Sequence, residues 1–240
     1  MASSDATVHT SRIPHVALTV LEALALAGIG AACAHRGGSE HASALPGGAA
    51  RFERLESPRL SPVEKADWTP AQRAYLEPHE QAGRIFIVFK MAAHHPDLAR
   101  SFDAFAFGHI NGESNTLHPR HRELLILRVS WLCRSEYVWA QHRRIARAVG
   151  LTDDEILRIT REPEAPGWAP FEAALLCAVD DLHGDAFISD PTWNALSRQF
   201  DTRQLMDLIF TVGTYQLASM ALNSWGVQLD DGLTDFPQEH

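Results

Sequence analysis

The chain is poor in cysteine and has no pair of cysteines at Cys-x-x-Cys spacing. Its 240 residues include only three, Cys33, Cys133 and Cys177, at widely separated positions. Dithiol redox chemistry needs an attacking and a resolving thiol, and structural zinc sites need clustered ligands. The sequence therefore argues against both classes. Sparse cysteine is typical of proteins from a reducing compartment, so we expect a cytoplasmic protein.

Basic residues are also in short supply. Lys and Arg number 21 against 30 for Asp and Glu, which gives a formal net charge of −9. Nucleic-acid binding requires a basic surface that neutralises phosphates, and no stretch of this chain provides one. The densest basic cluster, Arg143, Arg144 and Arg147, is offset by nearby acids. We therefore expect no nucleic-acid partner.

Alternation typical of β-strands is nearly absent, whereas helix start signals recur. Thr69 and Thr152 begin capping boxes, and proline follows Thr69, His95 and His118 at first helical positions. The pattern predicts an all-α protein, a helical bundle with short loops. The predicted helices span 62–67, 70–77, 80–93, 96–112, 119–132, 135–149, 153–161, 168–185, 191–199 and 203–223.

The first fifty residues differ from the rest in composition. The segment 16–34 is apolar but too short and too interrupted for a membrane span. The segment 35–50 is rich in Gly, Ser and Ala, as flexible linkers are. We interpret 1–50 as a flexible N-terminal extension or leader and 51–240 as one helical domain. No membrane partner is expected, and export through the apolar segment is the alternative to a cytoplasmic location.

Polar groups interrupt apolar sequence between His118 and Gly150. Glu123 opens the run Leu124-Leu125-Ile126-Leu127, and His142 interrupts a stripe formed by Val138, Ile145 and Val149. Polar groups on an apolar face cost free energy unless they are paired or used. The structural alternatives are an ion pair between Glu123 and Arg120 or Arg128, and a core histidine satisfied by one hydrogen bond.

Glu123 and His142 can share a site only if the helix between them breaks. They are 19 positions apart, which is about 28 Å along a continuous helix. Cys133, Arg134 and Ser135 can supply the break, with the Ser135 hydroxyl capping a second helix by accepting from an amide in its first turn. The sequence therefore predicts a helical hairpin that brings the carboxylate towards the imidazole.

The same stretch contains Arg122-Glu123-Leu124, Ile126-Leu127-Arg128 and Glu136-Tyr137-x-Trp139-x-x-His142. This pattern resembles the carboxymuconolactone decarboxylase family, which includes the alkyl hydroperoxidase D branch, and weaker similarity to the family extends over 82–229. The positions that hold the Cys-x-x-Cys pair of that branch are Ser135 and Val138 here. The resemblance is therefore to a member without the reactive cysteine pair.

The resemblance implies an enzyme that acts on a small carboxylated or lactone substrate by acid–base chemistry. Glu123, His142 and Tyr137 would be catalytic. No organic cofactor is implied, and the 13 histidines show no metal-binding spacing on one helical face. Relatives form trimers or hexamers, so a homo-oligomer is expected. The residues expected to bind the substrate are Arg122, Arg128, Glu136 and Trp139.

Two other functions stay open from the sequence. One is a thiol-dependent peroxidase-type antioxidant protein that uses Cys133, which the missing second cysteine disfavours. The other is a non-catalytic binding or assembly protein that keeps the fold with a degraded site. Val138 favours this second alternative, because many non-redox relatives carry glutamate at that position.

Overall fold

The computed structural model describes residues 55–233, and the predicted extension 1–50 lies outside them. Within the described range the chain forms nine α-helices and no β-strand, which confirms the predicted all-α class. The helices are α1 Pro70–Leu76, α2 Ile87–Ala92, α3 Pro96–Phe105, α4 Pro119–Leu132, α5 Glu136–Ala148, α6 Asp153–Arg158, α7 Pro170–Asp185, α8 Asp190–Leu196 and α9 Thr202–Trp225.

Helix α4 is the centre of the domain. It packs against α5, α7 and α9, and its run from Leu124 to Val129 is buried on every side. Complete burial of a leucine or isoleucine stabilises a fold by about 1.5–3 kcal/mol relative to exposure. A helix that is apolar all round must lie inside the protein. The polar side chains of Glu123 and Arg128, 1% and 3% exposed, are therefore held in a dry environment by the core.

The predicted helix starts agree well with the structure. The hydroxyls of Thr69 and Thr152 accept from the amides of Gln72 and Glu155, and both capping boxes are closed by the reciprocal side-chain bond. Asp201 forms a third capping box, at the start of α9. These local bonds satisfy amides that have no partner within the helix.

Two of the predicted N-terminal helices are wrong. The segment 62–67 contains only a 3₁₀ turn, Lys65–Asp67. The predicted helix 80–93 is broken because Gln81 and Arg84 exchange backbone hydrogen bonds across a tight turn. Ala82 and Gly83 occupy the left-handed region there, with φ of 50° and 75°. Helix α2 consequently begins only at Ile87.

The predicted helix 96–112 ends early and changes type. Helix α3 stops at Phe105, and the turn Ala106–Ile110 is π-helical, closed by a 2.9 Å bond from the Asn111 amide to the Ala106 carbonyl. Such turns insert an extra residue into the helix and are frequent at functional sites. The insertion points Asn111 back towards the interior.

Helix α9 has a buried face and an exposed apolar face. Leu205, Leu208 and Val212 are buried, whereas Ile209 is 37% exposed. Tyr215 is buried instead and continues the inward stripe. Among the described residues, α9 alone is long and apolar enough to cross a membrane by length and composition, and half of its apolar window is buried in the fold.

Candidate active site

The predicted break between α4 and α5 is confirmed, but its chemistry differs from the prediction. Arg134 adopts a left-handed conformation with φ of 51°. The Ser135 amide donates to the Ser130 carbonyl at 2.8 Å, and the Arg134 amide to the Trp131 carbonyl at 2.9 Å. This pattern is a Schellman motif with arginine at the position that glycine usually occupies. The Ser135 hydroxyl does not cap α5.

The hairpin brings Glu123 and His142 into direct contact. The Glu123 Oε2 atom lies 2.8 Å from His142 Nδ1. Glu123 is 1% exposed and His142 is 8% exposed. A carboxylate can only accept, so Nδ1 carries the proton when Glu123 is ionised. Nδ1 is thereby occupied, and any proton exchange with a ligand must use Nε2.

The structural alternatives for Glu123 do not hold. Arg120 pairs with Glu155 and Glu172. Arg128 pairs with Asp180. Neither arginine reaches Glu123, so the histidine is its hydrogen-bond partner.

The second oxygen of Glu123 is buried without a hydrogen bond among the described residues. The nearest cation is Arg122, whose Nε lies 4.0 Å from Oε1, too far for a hydrogen bond. Arg122 Nε is itself buried without a hydrogen-bond partner in this range, and Nη1 donates to the Ile110 carbonyl at 3.4 Å. Each buried unsatisfied polar group costs about 1–3 kcal/mol. The site therefore presents an acceptor and a donor suited to a bound molecule.

Two residues that the sequence did not indicate complete the site. The rings of Tyr215 and His142 meet edge to face, with centroids 4.7 Å apart and planes at 83°. The side-chain amide of Asn111 contacts the Tyr215 hydroxyl twice: Nδ2 lies 2.8 Å from the hydroxyl oxygen as a donor, and Oδ1 lies 3.1 Å from it as an acceptor. Burial raises the pKa of Tyr215, and the Glu123 charge raises it further, so its phenol stays neutral. The inward spacing of Leu208, Val212 and Tyr215 was the available signal.

Tyr137, predicted to be catalytic, directs its hydroxyl to the C-terminal segment. The hydroxyl donates to Asp230 Oδ2 at 2.6 Å, and Gln141 donates to the same hydroxyl at 3.2 Å. Burial raises the pKa of Tyr137, with a further contribution from Asp230. The other oxygen of Asp230 accepts from the Ile87 amide at the start of α2. These contacts favour a structural role, and the catalytic role stays a prediction.

Arg128, predicted to bind substrate, is engaged inside the domain. It is 3% exposed, and its Nε and Nη2 donate to the two oxygens of Asp180 at 2.7 and 2.6 Å. Its Nη1 donates to the carbonyls of Ile159 and Arg161. The guanidinium thus joins α4 to α7 and to the end of α6, which favours a structural role.

Trp139 and Glu136 were also predicted to bind substrate. Trp139 is fully buried in the core, with its ring 5.8 Å from that of Trp131. Glu136 is half-buried in the first turn of α5, where the helix dipole favours a carboxylate. Substrate binding by either residue stays a prediction.

A second carboxylate–imidazole pair lies outside this site. His109 Nε2 is 3.2 Å from Asp207 Oδ1, and His109 Nδ1 is 3.0 Å from the Ser114 hydroxyl. Asp207 Oδ2 accepts from both the amide and the hydroxyl of Thr116 at 2.6 Å. Every polar atom of this pair has a partner. Within residues 55–233 no group of three or more His, Cys, Asp or Glu side chains is placed to hold a metal ion.

Comparison with solved structures defines the class of the fold. An alkylhydroperoxidase AhpD core protein from Ralstonia eutropha JMP134, described as an uncharacterized peroxidase-related protein, is 20% identical with a TM-score of 0.62. The superposition covers 72% of this chain and 93% of the Ralstonia eutropha protein. A peroxidase-related protein from Silicibacter sp. TM1040 is 16% identical with a TM-score of 0.59, over 73% and 94% of the two chains. The fold is therefore that of alkyl hydroperoxidase D-like helical proteins.

The debrominase Bmp8, crystallised as a cysteine-to-alanine variant with 2,3,4-tribromopyrrole, is 14% identical with a TM-score of 0.56. The superposition covers 73% of this chain and 94% of the debrominase chain. No curated protein matches the chain in sequence. The model of the carboxymuconolactone decarboxylase family matches residues 96–180, the part that holds Glu123 and His142. Residues 96–180 are thus similar to the carboxymuconolactone decarboxylase family, and the fold is similar to that of alkyl hydroperoxidase D-like proteins.

Proposed function

We propose that the protein is a cofactor-free acid–base enzyme that acts on a small carboxylated or lactone substrate, as a decarboxylase of the carboxymuconolactone type does. One observation carries the proposal. Glu123 and His142 form a buried hydrogen-bonded pair, while Glu123 Oε1 and Arg122 Nε are buried without hydrogen-bond partners among the described residues. An acceptor and a donor left in that condition beside a carboxylate–imidazole pair are suited to hydrogen-bond a ligand.

The proposed reaction removes CO2 from a carboxylated butenolide. The bond from carbon to the carboxylate breaks, and its electron pair moves into the conjugated lactone to form a dienolate. Arg122 would stabilise the developing oxyanion, since a cation in a dry site interacts strongly with new negative charge. His142 Nε2 would deliver a proton to carbon, while Glu123 holds Nδ1 and stabilises the imidazolium before donation. The imidazole then recovers its proton from water.

The test is a screen of unsaturated lactones and β-keto acids for CO2 release by the full chain. A substrate turned over by the wild type should be lost with His142→Ala and Glu123→Gln, because a positioned acid contributes about 10²–10⁴-fold. His109→Ala is the matched control, since it removes an imidazole from a carboxylate outside the site. Turnover that survives in both site variants, or release from no compound, would reject the proposal.

A second candidate is thiol chemistry at Cys133. Its Sγ lies 3.7 Å from His183 Nδ1 at the end of α7, and a neighbouring imidazole activates a thiol. Peroxide reduction that requires an added monothiol and disappears with Cys133→Ser and His183→Ala would support it. Ser135 and Val138 stand where the resemblance expects cysteines, so the acid–base proposal is preferred.

A third candidate is a binding or assembly protein that retains the fold without turnover. It predicts that a ligand protects the chain against unfolding but is recovered unchanged. Glu123→Gln separates it from the enzyme proposal. The substitution would change affinity in a binding protein, whereas in an enzyme it would abolish turnover of a compound that still binds.

We also propose that the protein is a homo-oligomer that buries the outer face of α9. Five apolar side chains on that face are 37–54% exposed at helical spacing, a larger apolar stripe than isolated surface residues produce. Phe210→Asp should yield monomers in light scattering, with Arg203→Asp as a control on the same helix. An unchanged mass for Phe210→Asp would exclude this face. The stripe consists of Met206, Ile209, Phe210, Leu217 and Met220.

A further inference from the structure

The hydrogen bond that His142 donates to Glu123 does not by itself fix the orientation of the ring. The imidazole turns about its Cβ–Cγ bond, and on the side of α4 this single hydrogen bond at Nδ1 is what opposes that rotation. Proton transfer requires Nε2 to face the substrate within hydrogen-bond reach, and an error of about 1 Å can cost about a hundredfold in rate. A second contact to the ring is therefore needed.

Tyr215 supplies that contact from a different helix. Its ring lies at 83° to the imidazole with the centroids 4.7 Å apart, within the range of edge-to-face aromatic pairs. Tyr215 is 7% exposed on α9, whereas His142 and Glu123 belong to the hairpin of α4 and α5. Contacts from α4 and α9 together define both the position and the plane of the ring.

The tyrosine is in turn held by the π-helical turn. Asn111 reaches the Tyr215 hydroxyl through both amide atoms and also donates to the Ala106 carbonyl at 2.9 Å. The Ile110 carbonyl in the same turn accepts from Arg122. One irregular turn thus connects to the aromatic neighbour of His142 and to the arginine beside Glu123.

We propose that Tyr215 and Asn111 form a positioning pair that fixes the plane of the His142 ring and directs Nε2 at the substrate. Asn111 acts on the hydroxyl, and Tyr215 acts through its ring. Neither residue exchanges protons with the substrate. The inference rests on the proposed function for its catalytic consequence only, because ring orientation can be measured without a substrate.

The first test reads the ring directly. Nitrogen-15 NMR of the full chain reports the tautomer of His142, assigned by its absence in His142→Gln. The tautomer reports the orientation, because a ring that turns over about its Cβ–Cγ bond places Cδ2 where Nδ1 lay and loses the bond to Glu123 that fixes the proton on Nδ1. The wild type should hold the Nδ1–H tautomer, and Tyr215→Leu should give a mixture of tautomers. Tyr215→Phe and Asn111→Ala should each produce a smaller change in the tautomer ratio. The double variant should change the ratio no more than either single variant, because both substitutions remove the contact between the Tyr215 hydroxyl and Asn111. Phe210→Leu is the matched aromatic control on α9 and should leave the signal unchanged.

The second test uses any substrate found in the screen. Tyr215→Leu should lower kcat about tenfold or more with KM nearly unchanged, since misorientation affects the chemical step. An unchanged tautomer in Tyr215→Leu, or the same mixture in Phe210→Leu, would overturn the positioning role. Turnover that survives His142→Ala would reject the proposed function. The tautomer measurement would still decide whether Tyr215 orients the His142 ring.

Discussion

Two of the carboxylate–imidazole pairs in the described part of the chain, Glu123 with His142 and Asp207 with His109, have similar lengths but opposite surroundings. Glu123 and His142 meet at 2.8 Å, and His109 and Asp207 at 3.2 Å. Both oxygens of Asp207 accept hydrogen bonds, and Thr116 alone donates two of them. Glu123 has one such bond and a second buried oxygen without any among the described residues.

The comparison separates polar groups that hold the fold together from groups available for chemistry. A buried group whose partners are all supplied by the protein stabilises the native state. A buried group left incomplete costs stability and is a candidate for completion by a ligand. The two histidines also differ in exposure, since the His109 side chain is 41% exposed and the His142 side chain is 10% exposed. The two classes should respond differently to substitution.

The largest effect is expected at Glu123. Glu123→Gln should lower turnover about 10²–10⁴-fold while leaving the free energy of unfolding within about 1 kcal/mol, because the amide keeps the shape and adds no buried charge. Steady-state kinetics and urea unfolding measure the two quantities. A large loss of stability with activity retained would place Glu123 in the same class as Asp207.

Arg128 should show the reverse. Arg128→Met leaves Asp180 without its bidentate partner and should reduce the free energy of unfolding by about 3–5 kcal/mol, as expected when one member of a buried ion pair is removed. Urea denaturation measures it, with the exposed Arg203→Met as control. Unaltered stability accompanied by a raised KM would instead support the substrate-binding role predicted for Arg128.

Asp207 should give a smaller loss of the same kind. Asp207→Asn removes one acceptor for Thr116 or His109 and should cost about 1–2 kcal/mol without changing turnover. Burial would raise the pKa of Asp207, but hydrogen bonds from Thr116 and His109 outweigh it and lower the pKa. The stabilisation is thus present above the usual aspartate range and disappears in stronger acid. A fall in kcat would contradict the distinction between the pairs.

Glu155 should give the smallest effect and a defined pH dependence. The hydrogen bond with Arg120 lowers the pKa of Glu155 from 4.5 to about 2. A depressed pKa in the native state stabilises the protein above pH 4.5 and loses that contribution as the pH falls towards 2. Glu155→Gln should therefore be less stable than wild type by about 1 kcal/mol at neutral pH. The difference should vanish near pH 2, and urea titrations across that range test it.

Sequence reasoning reached the hairpin because the distance along a helix forbids any other meeting of Glu123 and His142. It misplaced the cause of the break, since the left-handed residue is Arg134, and arginine gives no local signal of that conformation. The Schellman bonds depend on backbone geometry, which residue type does not reveal when glycine is absent.

The hydrogen-bond partners of Arg128 and Tyr215 were equally hidden from the sequence. Asp180 lies 52 positions from Arg128, and Asn111 lies 104 positions from Tyr215. Local periodicity identifies which face of a helix is buried but not which helix it meets. The helix starts were predictable because capping bonds join residues three positions apart.

Asp230 has a consequence for the order in which the domain is completed. It bonds the Ile87 amide and the Tyr137 hydroxyl, two groups 50 positions apart that come together on a single carboxylate. During synthesis neither hydrogen bond can form until Asp230 has left the ribosome. The first turn of α2 and one face of α5 are therefore secured last, and a nascent chain stalled before that residue would expose both to proteases and chaperones.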